Sequence, residues 1–147
     1  MRLTLATAAV FALLATSSSA QAPAFEYLIK PQVFEANVDG SRSELIGPGV
    51  MLRTAAGGQV TVDLSDEQAG TRIAIVPTDL SSGRIALRVE VSVIRAGKTA
   101  TANFDVLGGP DAQQATFAAR DANGKFLVGP RGMPVYATFE VTTRPRR

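Results

Sequence analysis

Carboxylates are the side chains in this sequence best suited to chemistry, and they are densest at Asp63, Asp66 and Glu67. Ca²⁺ binds carboxylate oxygens, and a pair of carboxylates can hydrolyse a glycosidic bond. The spacing lacks the alternating ligands and the central glycine of a calcium loop, so we interpret the cluster as a solvated loop. The chain has 13 Asp and Glu residues, and nothing in the sequence singles out one catalytic pair.

A second acidic motif, Asp121-Ala122-Asn123-Gly124, begins like the first half of a calcium loop. Residues 125–127 are Lys, Phe and Leu, which supply no further oxygen ligand. The motif is therefore interpreted as a hairpin turn. Gly57-Gly58 and Gly108-Gly109-Pro110 are interpreted as tight turns, because they precede predicted strands and lack the Gly-Lys-Ser/Thr of a phosphate loop.

The residue types missing from the chain narrow its chemistry further. The sequence contains no His, Cys or Trp. This excludes Ser-His-Asp triads, cysteine nucleophiles and zinc sites built from His or Cys. We therefore predict that the protein is not an enzyme and has no catalytic, cofactor-binding or metal-binding residues. A small carboxylate-based hydrolase is the alternative.

Residues 1–22 have the pattern of a secretory signal peptide. Arg2 supplies a positive charge, Leu3 to Thr16 is apolar apart from threonines, and small residues follow at cleavage spacing. Cleavage after Ala20 is preferred to cleavage after Ala22, because Pro23 would fit poorly just past the bond. An uncleaved anchor is the alternative, although the apolar run is shorter than the ~20 residues of a spanning helix.

The predicted organisation is a signal peptide at residues 1–20, one domain at residues 21–143 and a basic tail at residues 144–147. A net charge of +2 gives no strong attraction to nucleic acid or to anionic membranes. No second apolar stretch approaches spanning length. We expect a periplasmic or extracellular protein that binds no nucleic acid, has no cofactor and has no stable membrane insertion.

Apolar and polar residues alternate with period two through the rest of the chain, which is typical of β-strands. The clearest strand is Ile85 to Arg95. Its apolar face carries Ile85, Leu87, Val89, Val91 and Val93, so it is predicted to lie at the centre of the core. Eight or nine short strands separated by turns predict an all-β fold, an antiparallel, immunoglobulin-like β-sandwich. A small β-barrel is the alternative.

Several local features qualify this pattern. Ser65 to Gln68 resembles one helical turn capped by Ser65, and Pro77 is predicted to end the preceding strand. The segments Phe25 to Phe34 and Val135 to Val141 are predicted to be edge strands. Both come from chain ends, and Pro31 and Pro134 are best tolerated at edges or strand starts.

One part of the sequence combines a Pro-led strand and a Thr-x-x-Gly turn with a V-x-P-T segment and a G-x-I-x-L-x-V segment. The residues concerned are Pro48, residues 50–62, Ile73 to Thr78, Gly83 to Ser92 and Asp121 to Lys125. This pattern resembles the β-domain of bacterial secretins. The resemblance implies a cell-envelope β-module that contacts other proteins. No amphipathic lip segment or membrane-crossing hairpins accompany it, so a pore is not expected and no functional residues are carried over.

The sequence therefore predicts a non-enzymatic, exported binding or structural module that acts through protein–protein contacts. Its partner would be an unknown envelope protein, bound by strand addition at a sheet edge. The alternatives are the carboxylate-based hydrolase and an accessory protein of a secretin-like or envelope assembly. Any partner is predicted to dock along the Val135 to Val141 edge.

Overall fold

The computed structural model describes residues 25–80, 84–108 and 115–145. The predicted signal peptide, the turn at Gly109-Pro110 and the last two arginines lie outside these residues. No helix long and apolar enough to cross a membrane occurs among the described residues. The described chain forms nine strands: β1 (Phe25–Ala36), β2 (Arg42–Ile46), β3 (Leu52–Ala55), β4 (Val60–Ser65), β5 (Ala69–Asp79), β6 (Ile85–Arg95), β7 (Lys98–Gly108), β8 (Ala115–Ala118) and β9 (Val135–Pro145).

The strands form two antiparallel sheets that do not close into a barrel. Sheet A has the order β2-β1-β9-β8, and β3 pairs with β1 as well. Sheet B has the order β4-β5-β6-β7, a simple meander. The predicted all-β sandwich is therefore confirmed. The likeness to immunoglobulin domains extends to the two packed sheets but not to their strand order, since immunoglobulin sheets combine strands ABED and CFG.

The two ends of the described chain pair with each other at the centre of sheet A. β1 and β9 form eleven register pairs, from Phe25 opposite Pro145 to Glu35 opposite Val135. β1 also pairs with β2 and β3, and β9 also pairs with β8. The prediction that Phe25 to Phe34 and Val135 to Val141 are edge strands is therefore wrong. The long ladder between β1 and β9 joins segments that are distant in sequence. Each of the two strands also pairs with a strand on its other side, so neither is an edge strand.

The prolines are accommodated inside strands by local gaps in pairing. β3 pairs with β1 up to Ile29 and β2 pairs with it from Val33 onward, so Pro31 lies between the two partners. The prediction that Pro77 ends its strand is wrong, because β5 continues to Asp79. The pairing of β5 with β4 ends at Ile75, and beyond it the carbonyl of Pro77 accepts the N–H of Gly57 over 2.8 Å. Pro77 lies where β4 no longer pairs, so the lack of a proline N–H breaks no hydrogen bond to β4.

β6 lies in the interior of sheet B and supplies the centre of the core. Its bounds, Ile85–Arg95, are those that the sequence predicts, and it pairs with β5 and β7 along its length. The apolar face is buried, whereas Arg88 on the opposite face is exposed. From sheet A the core receives the buried side chains of Tyr27, Ile29, Val33, Ile46, Val135, Ala137 and Phe139.

The β4–β5 connection differs from prediction in one detail and leaves one large apolar side chain exposed. Ser65 to Gln68 forms no helical turn, because Ser65 is the last residue of β4 and pairs with Gly70 across a hairpin. Leu64 faces the same side as Val60 and Val62, yet it is 58% exposed. This inner face of sheet B is therefore incompletely covered next to the hairpin.

Replacing Val89 with Asp should unfold the sandwich or nearly so. Val89 is fully buried in the middle of β6, and an unpaired buried charge costs several kcal/mol, comparable with the whole stability of a small domain. Arg88→Ala is the control on the same strand, because Arg88 is exposed and its ion pair, at 3.9 Å, is with the exposed Asp105. Urea melts of the two variants test the assignment of faces. Equal midpoints would contradict it.

Candidate functional site

The acidic cluster that the sequence singles out is engaged in its own turn. The N–H and hydroxyl groups of Ser65 donate to Asp63. The N–H groups of Ala69 and Gln68 donate to Asp66 and hold the pKa of that fully exposed carboxyl below its usual value. An acid that must donate a proton near neutral pH needs a raised pKa. Asp63 and Asp66 therefore accept hydrogen bonds within the β4–β5 hairpin and shape it.

The second acidic motif is also a turn, as predicted. Oδ1 of Asp121 accepts the N–H groups of Asn123 at 2.8 Å and Lys125 at 3.0 Å. Gly124 has φ +78°, a conformation that favours glycine. Among the described residues no group of three His, Cys, Asp or Glu side chains is placed to hold a metal ion.

A cleft of about 640 Å³ lies at one end of the sandwich. One wall is the β6–β7 hairpin together with the start of β5, and the other is the segment between β8 and β9. We call it the hairpin cleft. Its volume is within the range of small-molecule sites. The lining is mainly apolar and consists of Ala69, Val93, Ile94, Arg95, Ala96, Lys98, Thr99, Ala100, Asp121, Phe126, Leu127, Val128 and Pro130.

Two cations lie side by side at the hairpin end of this cleft. Arg95 and Lys98 are register partners in the β6–β7 ladder, and both are exposed. Arg95 comes two residues after the buried Val93 and so lies on the same, inward side of β6, with Lys98 opposite it. The turn between them has Ala96 at φ 49° and Gly97 at φ 74°. A left-handed alanine costs roughly 1–2 kcal/mol, and both angles fit the type I′ turn that matches strand twist.

Neither cation has an acidic partner in the part of the chain that is described. The ion pairs there join Lys30 to Glu140, Arg88 to Asp105, and both Arg53 and Arg144 to Glu26. Like charges placed directly opposite each other in a ladder repel. The cleft therefore combines apolar walls with an uncompensated pair of positive charges.

The opposite wall is held by hydrogen bonds rather than by a long strand. The connecting segment, residues 119–134, forms single bridges between Arg120 and Phe126 and between Val128 and Pro134. The N–H of Leu127 donates to Ala119 over 2.8 Å, and the carbonyl of Leu127 accepts from Val135 over 2.9 Å. The stretch from Phe126 to Val128 thus forms isolated bridges, and Leu127 fixes it to the start of β9.

A row of aromatic rings and arginines fixes the same segment to the outer side of sheet A. Phe34 and Tyr136 are register partners, with ring centroids 6.0 Å apart, and the ring of Phe126 lies 6.3 Å from that of Tyr136. Arg42 covers Phe34 at 4.2 Å, and Arg120 covers Phe126 at 4.1 Å. Each aromatic pair contributes about 0.5–1.5 kcal/mol beyond its buried area. The aromatic row therefore positions Phe126, which lines the cleft.

Glu35 is a buried acid that anchors the other half of the connecting segment. Only 1% of its surface is exposed, and its carboxyl oxygens accept the N–H groups of Arg131 at 3.1 Å and Met133 at 3.2 Å. A Cβ on Gly129 would overlap the side-chain carbons of Glu35, so only glycine fits there. The carboxyl group thus replaces the backbone partners that this turn lacks.

The sequence analysis does not predict the residues that build this site, and the sequence contains a signal for one of them, Glu35. Alternation from Tyr27 through Ile29 and Val33 places Glu35 on the core face, where an acid needs a partner. The aromatic row left no such signal, because its members are brought together by long-range pairing. Arg95 and Lys98 are close in sequence and pair in the β6–β7 ladder, but their relation to a cleft depends on the connecting segment.

Comparison with known proteins leaves the geometry as the basis for assigning a function. No protein-family model matches the sequence, and no curated protein matches it at a significant level.

Removing the Glu35 carboxyl should loosen the connecting segment. Glu35→Ala would remove the acceptor of two part-buried hydrogen bonds, from the N–H groups of Arg131 and Met133, which contribute about 0.5–1.5 kcal/mol each. We expect a clear fall in unfolding free energy for Glu35→Ala and a smaller fall for Glu35→Gln, which retains one acceptor. Glu44→Ala is the control, since Glu44 is exposed on the neighbouring β2. Denaturant melts that rank Glu35→Ala with Glu44→Ala would contradict the anchoring role.

Proposed function

We propose that the protein is an exported, non-enzymatic binding module whose ligand site is the hairpin cleft. The observation that carries the proposal is the cleft itself. It is a concave, mainly apolar space of about 640 Å³ between two walls that are each held by named contacts. Ligand sites combine this shape and lining with a few polar groups that set orientation.

The chemistry of the site supports binding rather than catalysis. The lining includes Arg95, Lys98, Thr99 and Asp121 as polar side chains. Oδ1 of Asp121 is already hydrogen-bonded to its own turn. A hydrolase using two carboxylates needs a second acid flanking the same bond. Among the described lining residues, Asp121 is the one acid.

Export is the second part of the proposal, and it is supported by the signal-peptide pattern of residues 1–22. An exported chain without Cys or His functions without disulfides or a His-bound metal, which suits the periplasm or the extracellular medium. The resemblance to secretin β-domains supports a role at the cell envelope.

A second candidate function is strand addition to an envelope protein. Within the described residues, β4 and β7 each pair on one side only, so they are the edge strands of sheet B. Leu64 on β4 and Leu107 on β7 are 58% and 59% exposed. An exposed edge with apolar side chains is a template for an added strand. We no longer place the docking site along Val135 to Val141, because Tyr136 to Phe139 already pairs with β8 as well as with β1.

Filling the cleft should abolish binding of a neutral apolar probe. We expect N-phenyl-1-naphthylamine to fluoresce on binding to the purified protein and to bind at least tenfold more weakly to Ala100→Trp. Ala100 is exposed and lines the cleft. Asn103→Trp adds the same ring to the outward side of β7 and should bind the probe normally. Equal probe binding by the two variants would contradict the proposed site.

Expression of the full sequence in a bacterium tests export. Protein recovered from the periplasm or medium of an expressing bacterium should have the intact mass of a chain that begins at Gln21. Retention of the full chain in the cytoplasm would contradict export and leave the cleft unaffected.

A further inference from the structure

We infer that the hairpin cleft takes a single-chain amphiphile with an anionic head group, of the fatty carboxylate class. The inference deepens the proposed function and rests on it. The apolar walls would cover the hydrocarbon chain, and the Arg95–Lys98 pair would bind the head group. The inference rests on the presence of the apolar walls and of the two cations in the same cleft.

The head-group site follows from the register of the β6–β7 hairpin. Arg95 and Lys98 are opposite each other in the ladder, and neither forms an ion pair with a described carboxylate. An anion between the two cations would relieve their repulsion and form charge-assisted hydrogen bonds with both. Arg95 offers a planar set of donors that matches a carboxylate, and Lys98 adds a point charge.

The single acid in the described lining does not compete for the same place. Asp121 lies on the opposite wall, and its Oδ1 accepts two N–H groups of its own turn. The described lining therefore has two cations against one anion. The positive charges lie at the hairpin, and the apolar side chains of the connecting segment lie across the cleft from them.

The chain site follows from the apolar lining. Val93 belongs to the sheet wall, whereas Phe126, Leu127, Val128 and Pro130 belong to the connecting segment. Leu127 is 2% exposed and Phe126 is 39% exposed, so the lining runs from the core to the surface. A hydrocarbon chain laid along it would remove apolar surface from water, which is favourable at roughly 25 cal/mol per Å². A small hydrophilic anion would gain nothing from these walls.

Calorimetric titration of the purified protein with three probes tests the inference. Decanoate carries both features, 1-decanol carries the chain alone, and butanoate carries the head group with almost no chain. We expect decanoate to bind at least tenfold more tightly than 1-decanol and butanoate to show no binding. Raised salt should weaken decanoate binding and leave 1-decanol unchanged, because screening acts on charge.

The matched variants remove two positive charges each. Arg95→Gln/Lys98→Gln should weaken decanoate at least tenfold and leave 1-decanol and the neutral naphthylamine probe unchanged. Arg72→Gln/Arg88→Gln removes two exposed arginines from the outer side of sheet B and should change nothing. Equal melting temperatures would show that the first variant is folded, and Lys98→Gln alone is the milder substitute.

The outcomes separate the two proposals. If the neutral probe binds in the cleft but decanoate and 1-decanol bind equally, or if Arg95→Gln/Lys98→Gln has no effect, the anionic head group is wrong and the cleft stands. If Ala100→Trp leaves every probe bound, the cleft itself is wrong. Binding of butanoate as tight as that of decanoate would indicate an anion site without a chain site and would also overturn the inference.

Discussion

The pairing of β1 with β9 is the constraint on which the rest of the structure depends. Eleven register pairs join the two ends of the described chain and form the centre of sheet A. Within the described residues, β2 and β3 pair in sheet A with β1 alone, and β8 pairs with β9 alone. Sheet B, by contrast, is a meander of neighbours in sequence. Local hairpins therefore specify sheet B, whereas the two halves of sheet A, β3-β1-β2 and β9-β8, join only when distant segments meet.

The cleft is a consequence of how this ladder ends. Glu35 and Val135 form its last pair. From that point Glu35 accepts two N–H groups of the connecting segment, Val135 is hydrogen-bonded to Leu127, and the aromatic row continues outward through Tyr136. The segment is thus held as a wall facing the β6–β7 hairpin. At the same end of sheet B, the inward-facing Leu64 is exposed, so this end of the inner face is incompletely covered.

The sequence was sufficient for the elements that local chemistry determines. Alternation predicted β6 to the residue, and Asp121-Ala122-Asn123-Gly124 was correctly interpreted as a turn. Predictions from the sequence pattern are wrong where strands that are distant in sequence pair with each other. The prolines at 31 and 134 suggested edge strands, yet Pro31 fits a central strand because its other neighbours, β2 and β3, leave a gap beside it. The cleft was not predictable, since a period-two pattern specifies faces but not which distant segment covers them.

Backbone amide hydrogen exchange tests the central claim that the chain ends form the middle of sheet A. Amides of strands paired on both sides exchange mainly through global unfolding, whereas an edge strand has amides open to solvent. We expect the amides of Val135 to Phe139 to be among the slowest in the protein, together with those of β6 and clearly slower than the average over β4. Exchange of this segment as fast as that of β4 would place β9 at an edge and contradict the fold described above.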